Sequence, residues 1–298
     1  MFDCIIIGGG PAGLNGSLVL GRAGREILLL DENKPRNAVT QESHGFITRD
    51  GIKPAEFKNL AKQDLAKYPN ITIESKRATS ITQEGTYFIV ETNEDDQYKA
   101  KKVIISSGLK DSLPAIEGIH QYYGKSFFSC PFCDGYEMRN QPLVVIAESE
   151  HAFHVTKMLW NWSKDVILCT NGHNVLSEEQ LASFEKNNIK VYEEKITSLQ
   201  GKNGQLEKLV FADGKEVTRV GGIVGTQLSQ ASPFLEALNL NRNAQGGIET
   251  DTFGRSSIPG IYACGDATLQ DVPQLIIAAA QGSKTASGVI ADLISEEF

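Results

Sequence analysis

The stretch Phe2–Gly13 reads FDCIIIGGGPAG and decides the fold. A short apolar run meets Gly8-Gly9-Gly10-Pro11-Ala12-Gly13, and a helix-like stretch follows to about Gly24. Gly8, Gly10 and Gly13 have G-x-G-x-x-G spacing between a strand and a helix. The first glycine permits the tight turn, the second lets a pyrophosphate approach the backbone, and the third lets helix and strand pack closely. Phosphates would then sit at a helix N-terminus, where free N–H groups and the dipole favour negative charge. A second strand, Glu26 to Leu30, ends at Asp31, 18 residues past Gly13, near the place expected for a ribose-binding acid. This βαβ opening reads as a dinucleotide site, but the glycines alone do not separate FAD from NAD.

Working outward, Phe57 to Tyr68 has a helical pattern, and Ile71–Glu74, Thr86–Glu91 and Lys102–Ile105 read as strands. A second βαβ unit follows: strand Leu143–Ile146, helix Ala152–Trp162, strand Val166–Cys169. Gly246–Asp266 is turn-rich with one short strand, and Pro273–Ile294 is an alanine- and glycine-rich helical tail. The expected fold is α/β, with two Rossmann-like, three-layer nucleotide-binding domains, the second inserted into the first. Residues 1–113 and 245–298 would form the first domain, which carries the glycine motif. Residues 114–244 would form the inserted NAD(P)-binding-like domain.

Composition agrees with a globular protein. The 298 residues are 41% hydrophobic and 22% charged, enough for a sizeable core. The net charge of -8, with no basic stripe, argues against nucleic acid. No run reaches the roughly 18 apolar residues of a membrane span. The N-terminal apolar run is too short for a signal core and is preceded by Asp3, so a cytoplasmic protein is expected. In a reducing compartment, a close cysteine pair is more often catalytic than structural.

Such a pair lies in Ser126–Glu137, SFFSCPFCDGYE. Cys130 and Cys133 could be a redox pair, half a zinc site or simple packing. Zinc wants four ligands, and Cys4, Cys169 and Cys264 are single, so no metal site is expected. A C-x-x-C loop can close a small disulfide ring and lower one thiol pKa. Thiolate attack and mixed-disulfide exchange then become possible. Asp134 could equally be a turn residue before Gly135. Trp160 and Trp162 are expected to pack on the second domain's helix, and Cys264 to fill a small apolar place.

GGGPAG at the start, SSG at Ser106–Gly108, CPFCDG, and GIYACGDAT at Gly260–Thr268 resemble the low-molecular-weight thioredoxin reductases. These are class II pyridine nucleotide-disulfide oxidoreductases, and the resemblance runs in order over nearly the whole chain. It implies FAD in the first domain. By position, Gly8, Gly10, Pro11, Ala12, Gly13 and Asp31 would hold its pyrophosphate and ribose, with Ser107 and Gly108 also on the cofactor. Gly265 and Asp266 would meet the ribityl-phosphate region, and Gln274 with the following helix would cover the isoalloxazine. Cys133 would face the flavin, Cys130 would be the interchange thiol that meets substrate, and Asp134 would relay protons. A homodimer is implied too.

The second glycine turn departs from this pattern. In LVVIAESEHAFHVTKML, Ala147 and Ser149 stand where the first two glycines belong and Ala152 at the third. The Ser149 side chain would crowd a pyrophosphate, and Glu148 and Glu150 place carboxylates where a dianion should sit. Between Thr170 and Glu185 there is no Lys or Arg, only His173, to hold a 2′-phosphate. Direct NAD(P)H use is therefore not expected.

Leu18–Ala38, Ser43–Gly51 (SHGFITRDG), CPFCDGYE and Trp162–Gly172 are similar to the dithiol oxidases that close disulfides in products such as gliotoxin and holomycin. On that resemblance Arg36, Asn37, His44 and Gly45 belong to the loop around FAD. Those oxidases carry His after the second cysteine, whereas this chain has Asp134. At a reference pKa of about 3.9, a carboxylate is a weak base for a thiol near 8.5. Three functions stay open. One is a flavin thiol–disulfide enzyme exchanging electrons between a small dithiol or a thioredoxin-like protein and oxygen, or fed by a protein such as ferredoxin. The second is an NADPH-dependent thioredoxin reductase. The third is a flavin-binding redox sensor with little turnover.

Overall fold

The computed structural model describes all 298 residues. The chain divides into two compact units: Met1–Ala38, Gly45–Lys110 and Ser229–Phe298 in the first, and Val39–His44 with Asp111–Leu228 in the second. The insertion expected at 114–244 thus begins at Asp111 and ends at Leu228. The return comes earlier than residue 245 because Leu235 and Leu240 are buried in the first unit's core with Ile7, Leu28 and Val90. Those two leucines lie in the short run PFLEALNL (Pro233–Leu240), which carries no local sign of which core it joins.

The first unit is built on a seven-stranded mixed sheet. Phe2–Ile7 lies parallel between Ile27–Leu30 and Gln97–Ile105, with Cys4 opposite Ile27 and Ile5 opposite Val103. Ile71–Glu74 adds outside Ile27–Leu30, and Ile261–Ala263 pairs with the far half of Gln97–Ile105. Cys4–Ile7, Ile27–Leu30 and Val103–Ile105 read as continuous apolar runs because both faces are covered there. One face carries Leu28, Leu30, Phe88 and Val103, and the other Ile6, Leu20, Leu29 and Val289. Tyr87–Thr92 and Ala78–Glu84 complete the sheet antiparallel, the latter a strand the sequence did not reveal.

Two helices cover the second face. Pro11–Arg22 starts with Pro at its first position, where a missing N–H costs nothing. Leu275–Glu297 closes the chain. Its Asp292 accepts two bonds from Arg255, at 2.7 Å each, and one from the Tyr262 hydroxyl. Those bonds pin the last helix to the strand that precedes it.

In the second unit, Val166–Cys169, Leu143–Ile146 and Gly221–Val224 are consecutive parallel strands of a five-stranded sheet. Helices Ala152–Leu159 and Glu178–Lys186 follow the βαβ pattern expected from the sequence. An antiparallel meander, Ile196–Lys202, Gln205–Phe211 and Glu216–Thr218, was not anticipated. Leu109–Ser112 and Gln227–Gln230, where the chain passes between units, form a two-stranded ribbon. No helix is long and apolar enough to cross a membrane.

Candidate active site

The first unit assembles a nucleotide cradle at the end of its central strands. A side chain at Gly13 would put Cβ 1.9 Å from the Gly8 carbonyl oxygen, so only glycine lets the helix sit this close to the strand. Nothing lies within 4 Å of where a Cβ of Gly10 would point, so the space above the helix start is open. Asp31 is buried behind it. Its Oδ1 accepts the Gly9 and Asn33 N–H groups, at 3.3 and 3.2 Å. Its Oδ2 accepts Lys58 Nζ at 2.8 Å, and Lys62 stands 3.8 Å away. Burial alone would raise this carboxyl, but the Lys58 hydrogen bond and charge, with Asn33 and Lys62, outweigh it and hold the pKa below the usual range.

Other expected cofactor residues come together in the same unit. Arg36 Nη2 meets Asp266 Oδ2 at 3.0 Å, joining residues far apart in sequence. Gly265 N donates to Gln281 Oε1 at 2.6 Å, which fixes the turn that carries Asp266. Gln274 stands at the N-cap of the final helix without bonding it through its side chain. Gly108 follows the central strand, and its carbonyl accepts the Ala231 N–H. Two buried oxygens, Ser107 Oγ and Gln230 Oε1, have no partner in the protein. Gln230 Nε2 is bonded to the Ala267 carbonyl, one residue past Asp266. Buried polar atoms are nearly always paired, so these two fit a bound polar ligand. An open cradle, a helix N-terminus and orphaned polar atoms are what a dinucleotide needs.

In the second unit, Cys130 and Cys133 form a disulfide. Pro131–Asp134 is a single helical turn, capped by Cys130 Sγ, which accepts the Cys133 N–H at 3.2 Å. Phe132 and Tyr136 are exposed beside it. Trp162 packs edge-on against Phe132 at 5.8 Å, so it serves the redox turn and not only the helix expected from the sequence. The other cysteines are inert by comparison. Cys4, Cys169 and Cys264 are buried. Burial pushes all three thiols up, that of Cys264 to about 12.

Asp134 is buried. Burial first, and then the Glu137 charge, push its carboxyl up to about 7, against a smaller downward pull from His44. This corrects the expectation of a weak base, because a carboxylate titrating near neutrality is much better matched to a thiol. His44 Nε2 lies 3.7 Å from Glu137 Oε1 and 3.8 Å from Glu42 Oε2. The segment expected in a cofactor loop therefore brings its imidazole to the redox turn.

Beyond the carboxyl ends of Leu143–Ile146 and Val166–Cys169, side chains of the protein meet one another. Glu148 Oε1 accepts Asn171 Nδ2 at 2.6 Å, and His173 stands 3.9 Å from Glu148 Oε2. Asn171 is fixed in turn by accepting the Ile196 N–H at 2.8 Å. In parallel sheets, ligands bind at the carboxyl ends of the strands, and here a carboxylate bridges those ends.

This fold and site define a two-domain flavin disulfide oxidoreductase. Residues 2–283 match the family described as pyridine nucleotide-disulphide oxidoreductase, and the chain belongs to that family. It is 43% identical to a protein named as a thioredoxin reductase, TrxB, from Bacillus anthracis, over 100% of both chains with a TM-score of 0.96. It is 30% identical to HlmI, covering 99% of this chain and 93% of that one, with a TM-score of 0.94. The thioredoxin reductase aclD of Aspergillus oryzae is 28% identical over 100% of this chain and 98% of its own. The protein is thus a thioredoxin-reductase-like FAD flavoenzyme acting on disulfides.

Two residues of interest, Gln230 and Lys58, escaped the sequence reading. Gln230 lies in a featureless polar tract with no signal to find it. Glu148 was read as repulsive, but its bond to Asn171 requires the fold. Lys58 did leave a signal, since it shares the buried face of Pro54–Leu65 with Pro54 and Leu65.

Proposed function

We propose that this protein exchanges electrons between FAD and a substrate dithiol through Cys130 and Cys133 without direct use of NAD(P)H. The observation that carries this reading is the Glu148–Asn171 bond across the crevice of the second unit, at 2.6 Å. A pyridine nucleotide would have to break it and seat its phosphates among Glu148 and Glu150. FAD would be held by Gly8, Gly10, Pro11, Ala12, Gly13 and Asp31, with Ser107, Gly108, Arg36, Asn37, Gly265, Asp266 and Gln274. Gln230 joins this set. Bound there, FAD supplies a two-electron acceptor.

The exchange runs as follows. A substrate thiol gives its proton to Asp134, and the thiolate attacks Cys130 Sγ. The Cys130–Cys133 bond breaks and its electron pair leaves on Cys133 Sγ. The second substrate thiol gives its proton to the Cys133 thiolate and attacks the substrate sulfur of the mixed disulfide, releasing a substrate disulfide and the Cys130 thiolate. The cysteine pair has gained two electrons; FAD held in the first unit would supply the two-electron acceptor that restores the disulfide, with oxygen as the terminal oxidant. Phe132 and Tyr136, exposed beside the pair, would meet a small dithiol or a thioredoxin-like protein. A cytoplasmic homodimer belongs to the same reading on the family likeness alone.

The test is steady-state turnover in air with a dithiol. Peroxide formed in step with dithiol loss supports the proposal. No peroxide, with thioredoxin-dependent NADPH oxidation instead, would replace it by the reductase reading that the relatives' names favour. A flavin that cycles only once with every donor would favour a sensor.

A further inference from the structure

We propose that His44 is a positioning residue for the proton transfers of the redox pair, holding the neighbouring carboxylates so that Asp134 returns to its charged, proton-accepting form. The inference rests on the reading of Cys130, Cys133 and Asp134 as the exchange site, and it adds a residue about ninety positions upstream of it in the chain.

The geometry is specific. Val39–His44 leaves the first unit in sequence and packs with the second. It is seated by Gly124, where any Cβ would lie 2.1 Å from the Val39 carbonyl oxygen. His44 is only 20% exposed, while Glu137 and Glu42, within 4 Å of its Nε2, are about half exposed at 44% and 54%. The imidazole is thus the inward member of the cluster, and Asp134 lies three residues before Glu137. His44 faces Glu137 and Glu42 within 4 Å, and Glu137 and His44 both act electrostatically on Asp134. Arg139 is drawn away, with its guanidinium 3.9 Å from the Tyr136 ring centre and Nη1 bonded to the Tyr136 carbonyl at 2.7 Å.

The chemistry follows from charge. When Asp134 takes the proton of the attacking thiol, it must later release it to water to act again. Glu137 opposes that release, because a second negative charge nearby disfavours a new one. A protonated His44 favours it by countering both carboxylates. Removing the imidazole leaves the repulsion unopposed, so Asp134 stays protonated to higher pH.

The experiment is the rate of anaerobic flavin bleaching by dithiothreitol between pH 5.5 and 9, chosen around the reference range of His and the raised carboxyl. The proteins are wild type, His44→Gln, His44→Lys and Glu137→Gln. In His44→Gln the acid limb should move up by about one pH unit, a loss of up to about tenfold near pH 6.5, with rates converging at pH 9. His44→Lys should keep the limb at or below its wild-type position, and Glu137→Gln should move it down. An unmoved limb in His44→Gln, or an equal slowing at every pH, overturns the proposal. If dithiothreitol fails to bleach even the wild type, the dithiol reading fails separately. The same four proteins, reduced with a phosphine, are then compared by the pH dependence of iodoacetamide alkylation. There the same upward shift in His44→Gln supports the proposal and its absence overturns it.

Discussion

Glu148 and Asn171 are joined across the ends of two neighbouring strands, Oε1 to Nδ2 at 2.6 Å. The bond places a negative charge in the turn where a Rossmann domain normally receives phosphate, and it ties that charge to a side chain already committed to Ile196. Replacing Ala147, Glu148 and Ser149 together by Gly, Ala and Gly should open the turn and remove the repulsion. The variant is expected to bind NADH at least about tenfold more tightly than wild type, equivalent to about 1.4 kcal/mol. Quenching of flavin fluorescence or calorimetry checks this. Unchanged binding would mean that the crevice is not what limits access.

Asp134→Asn should slow dithiol-driven bleaching by about 10²- to 10⁴-fold, the usual worth of a positioned acid–base group. The wild-type rate should show an acid limb near 7, where this carboxyl titrates, and the variant should lose that limb.

The same residue links to stability. Its folded pKa lies above that of the unfolded chain, so between about 4 and 7 the native state binds more protons. Stability therefore declines as pH rises through that window. Asp134→Asn should raise the melting temperature relative to wild type at pH 8 and change it little at pH 4. The gain is at most about 4 kcal/mol. Thermal scans at both pH values decide the matter.

Lys58→Met should leave Asp31 as a buried carboxylate without its nearest counter-charge. A loss of about 3–5 kcal/mol in stability is expected, as for other broken buried pairs. FAD should be retained less well on gel filtration, since Asp31 no longer has a fixed orientation. In wild type, Asp31's folded pKa is depressed. Its contribution is present above the unfolded value of about 3.9 and is lost as pH falls through the lower folded value.

After reduction without denaturant, iodoacetamide should label Cys130 and Cys133 alone. Cys4, Cys169 and Cys264 are buried and their thiols are pushed up, so they offer almost no thiolate. Mass spectrometry of tryptic peptides reads the outcome, and labelling of Cys264 would contradict it.

Much of this was legible in the chain because the decisive signals are local. A strand, three spaced glycines and a helix show themselves over a few residues, as do Asp31 and the C-x-x-C turn. What escaped depends on distant neighbours. Leu235 and Leu240 return to the first core from a tract with no periodic pattern, which moved the boundary to Ser229. Asp134 at its reference pKa is a poor base, and only its burial beside Glu137 changes that. The oxidases the chain resembles carry an imidazole after the second cysteine, where this chain has Asp134. Here the imidazole comes from His44, a partnership that no spacing rule encodes.

The central claim is that electrons do not enter from a pyridine nucleotide, and rapid-mixing anaerobic absorbance of the flavin tests it most directly. The account expects no bleaching with NADPH or NADH, bleaching with a dithiol, and recovery on admitting air. Bleaching by NADPH as fast as turnover would contradict it and show that the Glu148–Asn171 bridge opens for a nucleotide.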